Sequence, residues 1–521
     1  MQLQKNKLWE VLTAPFSKLI ILFVGFIFVL SILTLVNLAS RGLFHYALYV
    51  LAYAIVLSYI ITLVYSILKN RRIRRVYICL LLLYLLLFQV VDFVCLSQFN
   101  CHITKDYVAA IMGTNVAETS EFLETFISPK LLSGIIIYIA LSLFLINLGQ
   151  RKRVQFTSLI YICVIIVLFS LGMTIRNSSV MEEIPLEKIS LFFQYDAPED
   201  LHDYLTNPSL YVETDRQPSD VVIIVGESFA KSHSSLYGYD KNTNPKLTAM
   251  NDSLILFQNV TSPTTGTIGA FKSIMSTYKP EYGDSIKWFT CTTVIEVLKK
   301  AGFHISWFSN QSKNGFWDNE VGKYADLCDE DYFVGNKYAG MSRTSYDENV
   351  IHLSEPIINS NQYVKNVSIF HLMGSHPSFK QRYPENFEKF RIEDYGEALP
   401  SQRQKLAEYD NSVLYNDSVV YELISFFKEK EAIVFYFSDH GLDIFNSSDD
   451  FCGHANAEDP ESFYWGTQIP FMVYMSESYK EKYPEKVREI EEKADEPFRT
   501  DDFMFFLMDI IGVKFASDLI E

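Results

Sequence analysis

Positive charge is scarce in this 521-residue chain, with 45 Lys and Arg set against 62 Asp and Glu and a formal net charge of -17. That balance excludes the basic face that nucleic-acid binding requires. Cysteine is scarce as well, with 7 residues, so the sequence does not read as a disulfide-stapled fold. Cys79, Cys95 and Cys163 fall in or near long apolar runs and read as apolar fillers. Cys291, Cys328 and Cys452 can supply one disulfide at most, and Cys101 is a further candidate. No internal repeat or low-complexity stretch is present. Charge is almost missing from five long apolar runs before residue 177. No small-residue cleavage site follows the first of them, which is also too long for a secretory signal.

The five runs cover Leu19 to Leu38, Leu43 to Leu68, Val76 to Leu96, Leu131 to Leu148 and Phe156 to Ile175. Crossing a bilayer takes about 20 apolar residues, so five membrane spans are expected. Lys69, Arg71, Arg72, Arg74 and Arg75 lie between the second and third, and Arg151, Lys152 and Arg153 between the fourth and fifth. Basic loops stay in the cytoplasm. The acidic segment from Gln98 to Pro129 then belongs outside, with everything after Ile175. Asp92, late in the third run, is an intramembrane carboxylate and by default a candidate functional residue.

After about residue 205 the chain reads as an acidic globular protein long enough to bury its own core. The expected division is 1–177 membrane, 178–218 a juxtamembrane bridge, and 219–521 a globular domain. The bridge mixes Ile184, Leu186, Ile189, Leu191, Phe192 and Phe193 with charges, as an interfacial helix or a packed linker helix does. Short apolar runs recur at Val221–Val225, His304–Phe308, Val367–Phe370, Ala432–Phe437 and Pro470–Tyr474, with helical patterns at Thr293–Ala301 and Ser401–Lys428. Alternating strands and helices predict a doubly wound, mostly parallel α/β sheet with helices on both faces.

Ligands of such sheets bind beyond the carboxyl ends of the strands. Gly226-Glu227-Ser228, His371 through His376, and Ser438-Asp439-His440-Gly441 all follow apolar runs. Glu227, Asp439 and His440 therefore form a candidate ligand set for zinc, or less favourably manganese. A metal-assisted transfer also needs a nucleophile, and the stretch from Asn259 to Thr267 is rich in hydroxyls. Spacing leaves Thr261, Thr264, Thr265 and Thr267 all open.

At these residues the chain resembles the membrane phosphoethanolamine transferases, a branch of the sulfatase and alkaline-phosphatase superfamily. The resemblance covers nearly the whole chain. It is carried by Gly226-Glu227-Ser228, by Leu236 to Tyr239 with Thr243 to Pro245, and by Asn259 to Thr267. It continues in His371 to His376 with Arg382 to Pro384, in Ser438 to Gly441, and in Asp501 to Gly512. It implies that Thr267 is the nucleophile and that Glu227, Thr267, Asp439 and His440 hold one or two zinc ions. It implies that His376 and His454 serve the substrate phosphate. The implied reaction is ping-pong transfer of phosphoethanolamine from phosphatidylethanolamine to a cell-envelope acceptor, lipid A or a core or other glycan. A phospho-threonine forms and diacylglycerol is released. The implied setting is a monomer in a bacterial inner membrane with its catalytic domain in the periplasm. Thr114 and Glu118 match two of the family's donor-lipid positions.

Two positions depart from that pattern. Ala110 stands where near relatives have asparagine, and Thr265 where lipid A-modifying relatives have a cysteine, so that loop disulfide is missing. The rival reading is a phosphoglycerol transferase of the lipoteichoic-acid or glucan-modifying type. The Asn-Pro at 244–245 and Glu118 favour ethanolamine. A true sulfatase needs a Cys/Ser-x-Pro-x-Arg context, which none of the cysteines provides. A catalytically inactive sensor is disfavoured by the intact Glu227, Thr267, Asp439 and His440 set. A transporter is disfavoured by few, nearly uncharged spans.

Overall fold

The computed structural model describes residues 2–40, 44–99, 103, 108, 111, 119–120, 122–123, 126–152, 160–176, 210–250, 253–313, 320–334, 345–454 and 459–516. They fall into two compact units, one built on the apolar helices up to residue 176 and one holding the residues from 210 on together with the described ones between 109 and 125.

The first unit contains α1 (Gln2–Ser17), α2 (Ile20–Ser40), α3 (Phe44–Ile67), α4 (Arg71–Phe99), α5 (Pro129–Arg151) and α6 (Ile160–Arg176). Four of these, α2 to α5, are long and apolar enough to cross a membrane. The fifth expected span, Phe156 to Ile175, is described from Ile160 on, where α6 is a helix of 17 residues. The residues preceding it, 153–159, lie outside the described ones, as do 177–209 of the expected bridge. α1 was not anticipated, because its first turns are too polar to read as a span.

Apolar side chains give no hydrophobic drive for helices to associate in lipid, so small residues and hydrogen bonds do that work. A Cβ on Gly149 of α5 would lie 2.5 Å from the backbone nitrogen of Leu22 in α2, whereas one on Gly134 meets nothing within 4 Å. The same pair of helices is tied by Tyr138 Oη, which donates to the Val29 carbonyl at 2.8 Å. Gln89 Nε2 of α4 donates to the Leu30 carbonyl at 3.2 Å. Asp92, singled out in the sequence, is buried and accepts the backbone N–H of Ile103 at 3.3 Å. It thereby fastens the chain that leaves α4.

The second unit is organised by a seven-stranded sheet. In chain order its strands are β1 (Asp220–Gly226), β2 (Leu254–Leu256), β3 (His304–Ser309), β4 (Glu330–Phe333), β5 (Asn366–His371), β6 (Ala432–Ser438) and β7 (Phe471–Met475). Their spatial order is β2-β7-β6-β1-β5-β3-β4. β7 pairs antiparallel with both β2 and β6, and the remaining pairs are parallel. The apolar runs are continuous because both faces are covered. Val221, Ile223 and Val225 enter one core, while Val222 and Ile224 enter the other. The first core packs under α7 (Thr267–Ile274), α8 (Val294–Lys300) and α11 (Phe503–Ile510). The second packs under α9 (Glu348–Ser360) and α10 (Pro400–Ser425). α8 starts at a capping box, with Thr293 and Glu296 satisfying each other's backbone N–H groups. The polar run Glu330–Phe333 was missed as a strand, because it is an edge strand half open to solvent. The described cysteines form no disulfide.

Gly149→Val should lower the melting temperature of the detergent-purified chain, by the about 1–3 kcal/mol that overpacking costs. Gly134→Val carries the same loss of helix propensity and should shift it much less. Equal shifts would show that the contact with Leu22 is not tight.

Candidate metal centre and nucleophile

Sheet register builds this site. Gly226 at the end of β1 pairs with Ser438 at the end of β6, and Val225 pairs with His371 at the end of β5. One residue further along, Glu227 and Asp439 leave adjacent strands at the same level. Glu227, Asp439 and His440 are each 1% exposed or less, and one ligand atom from each lies within 4.8 Å of the others.

Backbone shape holds them there. Ser228 has φ 56°, a left-handed conformation rare for a residue with a side chain. Its N–H donates to Asp439 Oδ1 at 3.1 Å, and its hydroxyl to Glu227 Oε1 at 2.5 Å. Tyr409 Oη donates to the Ser228 carbonyl at 2.8 Å and accepts the Ala230 N–H at 2.7 Å. On the other side, Gly374 at φ 48° lies so close that a Cβ would sit 2.7 Å from the Glu227 carbonyl oxygen. The Gly374 and Met373 N–H groups are held in turn by the buried carboxylate of Asp347, at 2.9 and 2.8 Å.

Of the four candidate threonines, Thr267 is the one placed against this cluster. Its hydroxyl donates to Glu227 Oε2 at 3.0 Å and lies 3.4 Å from His440 Nε2. Thr261 ends a short strand, Asn259–Thr261. The Thr264 hydroxyl donates to the Gly266 carbonyl, and Thr265 offers its carbonyl to His454 Nδ1 at 3.0 Å. Thr267 is also the first residue of α7, with Gly266 as the N-cap. Unpaired N–H groups of a first turn favour an anion, so negative charge developing on or beside Thr267 is stabilised there. His454 lies 4.7 Å, ring to ring, from His440, and His376 lies 6.4 Å from His454. Glu227, Thr267, His376, Asp439, His440 and His454 are thus gathered in one small space. Thr114 and Glu118, with Ala110, lie outside the described residues.

The charges are mutually dependent. Burial alone would raise Glu227, but the hydrogen bond and charge of His440 carry it well below the usual carboxylate range. Asp439 moves the opposite way, raised by burial and then by the Glu227 charge. His440 is raised by Asp439 and Glu227 against burial. His454 is pushed down to about 3 by burial and by the neighbouring His440, so its ring is neutral. With Nδ1 turned to a carbonyl, its free nitrogen is Nε2. Burial likewise pushes His371 down to about 4.

A divalent ion fits these donors. Asp439 Oδ2 is buried with no hydrogen-bond partner, a costly state for a polar atom. His440 Nε2 lies 3.3 Å from Glu227 Oε1 and 3.5 Å from Asp439 Oδ2. A tetrahedral site with bonds of about 2.0–2.1 Å to N and O has edges of about 3.3–3.4 Å. The observed separations of 3.0 to 3.5 Å bring the carboxylate, imidazole and Thr267 hydroxyl donors within reach of one such ion.

Reasoning from the sequence missed Gln311, whose Nε2 donates to Glu227 Oε2 at 3.3 Å and to the Leu372 carbonyl at 3.2 Å. A usable signal existed. Ser309-Asn310-Gln311 follows the apolar run of β3 as Glu227 follows that of β1, but an uncharged amide draws no attention in a search for ligands.

The sulfatase family profile matches residues 219–513. The chain is 27% identical over 311 residues to phosphoethanolamine transferase EptC of Escherichia coli K12, covering 58% of this chain and 52% of that protein. It is 30% identical over 264 residues to the Kdo(2)-lipid A phosphoethanolamine 7''-transferase of Salmonella typhimurium, covering 50% and 45%. The chain thus spans about half the length of the curated relatives it matches. Among solved structures, the integral membrane lipooligosaccharide phosphoethanolamine transferase A of Neisseria meningitidis superposes with a TM-score of 0.72 at 19% identity, covering 95% of each chain. The periplasmic domain of E. coli EptC in complex with Zn superposes with a TM-score of 0.53 at 25% identity, covering 60% of this chain and 87% of that one.

Metal analysis of the purified full chain should find a bound divalent ion that is lost in Asp439→Asn and in His440→Ala. Undiminished metal in both variants would remove Asp439 and His440 from the ligand set.

Proposed function

This chain belongs to the sulfatase family, and we propose that it is a zinc-dependent transferase moving phosphoethanolamine from phosphatidylethanolamine to a cell-envelope acceptor. The observation that carries the proposal is the Thr267 hydroxyl set against the buried Glu227, Asp439 and His440 cluster. The names of its relatives, phosphoethanolamine transferases over the same segment, support the head group. Lipid A or a core sugar is the acceptor of this proposal, supported by the Kdo(2)-lipid A in the name of the Salmonella typhimurium relative.

Glu227, Asp439, His440 and the Thr267 oxygen would hold the ion, and zinc bound there supplies a Lewis acid that favours the threonine alkoxide. Thr267 Oγ1 attacks the phosphorus of the donor. The bond from phosphorus to the diacylglycerol oxygen breaks, and phosphoethanolamine stays esterified to Thr267. The proton lost by Thr267 ends on the diacylglycerol oxygen. We assign its transfer to His376 and His454, through His376 Nδ1, which is buried without a hydrogen-bond partner, and His454 Nε2. In the second half an acceptor hydroxyl attacks the same phosphorus. The Thr267–phosphorus bond breaks, and the acceptor's proton returns by the same imidazoles to Thr267. The N-terminus of α7 offsets charge on the phosphoryl oxygens in both halves.

Thr114 and Glu118 would hold the ethanolamine head group, Glu118 as the counter-charge of its ammonium. The chain would act as a monomer in a bacterial inner membrane, with residues 1–177 embedded, 178–218 as the bridge and 219–521 in the periplasm. A lipid donor and an outer-leaflet acceptor meet there.

Mass spectrometry of the Thr267 peptide, after incubation of the full chain with phosphatidylethanolamine and separately with phosphatidylglycerol, tests this reading. A phosphoethanolamine adduct from the first lipid alone is expected. A phosphoglycerol adduct would transfer the proposal to the other head group. Thr267→Ala should lower transfer at least about 1,000-fold, as loss of a covalent nucleophile does, with insertion intact. Retained activity in that variant refutes the covalent route.

A further inference from the structure

Glu227 Oε2 accepts two hydrogen bonds of different kinds. One comes from the Thr267 hydroxyl at 3.0 Å and the other from the Gln311 amide at 3.3 Å. The second hydrogen of that amide goes to the Leu372 carbonyl at 3.2 Å. A primary amide has two N–H donors, and here both have a fixed acceptor. Only the nitrogen end of the side chain serves two oxygens, so the amide cannot flip without losing both bonds. Its backbone is pinned as well. The Gln311 N–H donates to Ser309 Oγ at 3.0 Å, and the Asn310 N–H to the His371 carbonyl at 3.1 Å. The Leu372 N–H donates to the Val225 carbonyl at 3.0 Å. Gln311 therefore ties Glu227 to the rigid ends of β3 and β5.

We propose that Gln311 is a positioning residue of the metal centre. It fixes the rotation of the Glu227 carboxylate, so that Oε1 faces His440 and Oε2 faces Thr267. Ser228 holds Oε1, but without the Gln311 amide Oε2 keeps only the Thr267 hydroxyl as a donor among the described residues, and that end of the carboxylate can turn. Metal sites lose about 10- to 100-fold in affinity or activity when such an outer partner is removed. The same turn would carry Oε2 away from Thr267 and slow attack, without touching the lipid. The effect belongs on turnover rather than on donor binding.

This inference rests on the zinc-transferase reading, so its test separates the two. Gln311→Met keeps length and volume but has no donor. The full chain in detergent would be compared with wild type in three measurements: zinc affinity by chelator competition, melting temperature without and with zinc, and kcat and KM for phosphatidylethanolamine. The expected result is an unchanged melting temperature without zinc and zinc affinity about 10- to 100-fold weaker, with a smaller stabilisation by added zinc. kcat should fall while KM stays within about twofold. Zinc affinity and kcat equal to wild type would overturn the proposal. So would a raised KM with normal zinc affinity, which would make Gln311 a substrate contact. A melting temperature lowered equally with and without zinc, at unchanged zinc affinity, would also overturn it, since that marks a purely structural residue. A wild-type chain that binds zinc in a Gln311-dependent way but transfers no phosphoethanolamine would sink the head-group reading and leave this one standing.

Discussion

Two carboxylates, Glu227 and Asp439, are buried side by side, and the architecture around them answers that fact. At a separation of up to 4.8 Å, two full negative charges repel by about 3–4 kcal/mol at an effective dielectric of about 20. Burial adds a desolvation penalty to each. Protons relieve the conflict in the bare protein: Asp439 is held protonated upward, His440 is held charged, and Glu227 keeps its negative charge. A dication in the same space replaces those two protons with the same total charge. The pattern is thus one of buried donors whose charge a divalent cation would balance. Asp439 Oδ2 is buried with no hydrogen-bond partner, and its counter-charge, His440 Nε2, lies 3.5 Å away.

That arrangement needs tight backbone tolerances, which the parallel strands provide. β5, β1 and β6 end level with one another, so residues far apart in sequence reach one point with no adjustable loop between strand and ligand. The neighbours are then selected by space. Gly374 cannot carry a side chain without striking the Glu227 backbone, and Gly226 cannot without meeting the Tyr436 hydroxyl, 2.9 Å from where a Cβ would be. The nucleophile comes from another part of the fold, at the start of α7. Its hydroxyl and the first-turn N–H groups of that helix converge on the same oxygen-rich space.

The soluble fold was legible because its strands are buried on both faces and so spell unbroken apolar runs; β1, β5 and β6 were visible to within a residue or two. β4 was not, since Glu330–Phe333 is a half-exposed edge whose composition carries no such signal. The membrane helices were legible for a similar reason, an apolar solvent outside instead of an apolar core. Their packing was not. Gly149 and Gly134 look alike in sequence and differ completely in surroundings. At the site, charged and hydroxylated residues could be found because their chemistry is distinctive and strand ends collect them. The choice among Thr261, Thr264, Thr265 and Thr267 could not be made from spacing, because it depends on which one starts a helix. Gln311 escaped notice, and Ser228 stood in the motif without a role of its own, because both act by geometry.

Ser228 shows how such geometry is held. A left-handed backbone costs a residue with a side chain about 1–3 kcal/mol, and glycine would adopt it freely. Serine nevertheless stands there. Its hydroxyl donates to Glu227 Oε1, and a hydrogen bond to a charged group contributes about 1.5–3 kcal/mol. The two magnitudes offset each other, so the strain persists at little net cost to folding. What is gained is placement. The turn at Ser228 aims its own N–H at Asp439 Oδ1 and its hydroxyl at Glu227 Oε1, so one residue holds both carboxylates. Glycine would relax the backbone and release Glu227 to rotate, which is the motion that Gln311 opposes from the other oxygen. The carboxylate is clamped at both ends, by Ser228 on Oε1 and by Gln311 on Oε2, and it meets His440 from the first oxygen and Thr267 from the second.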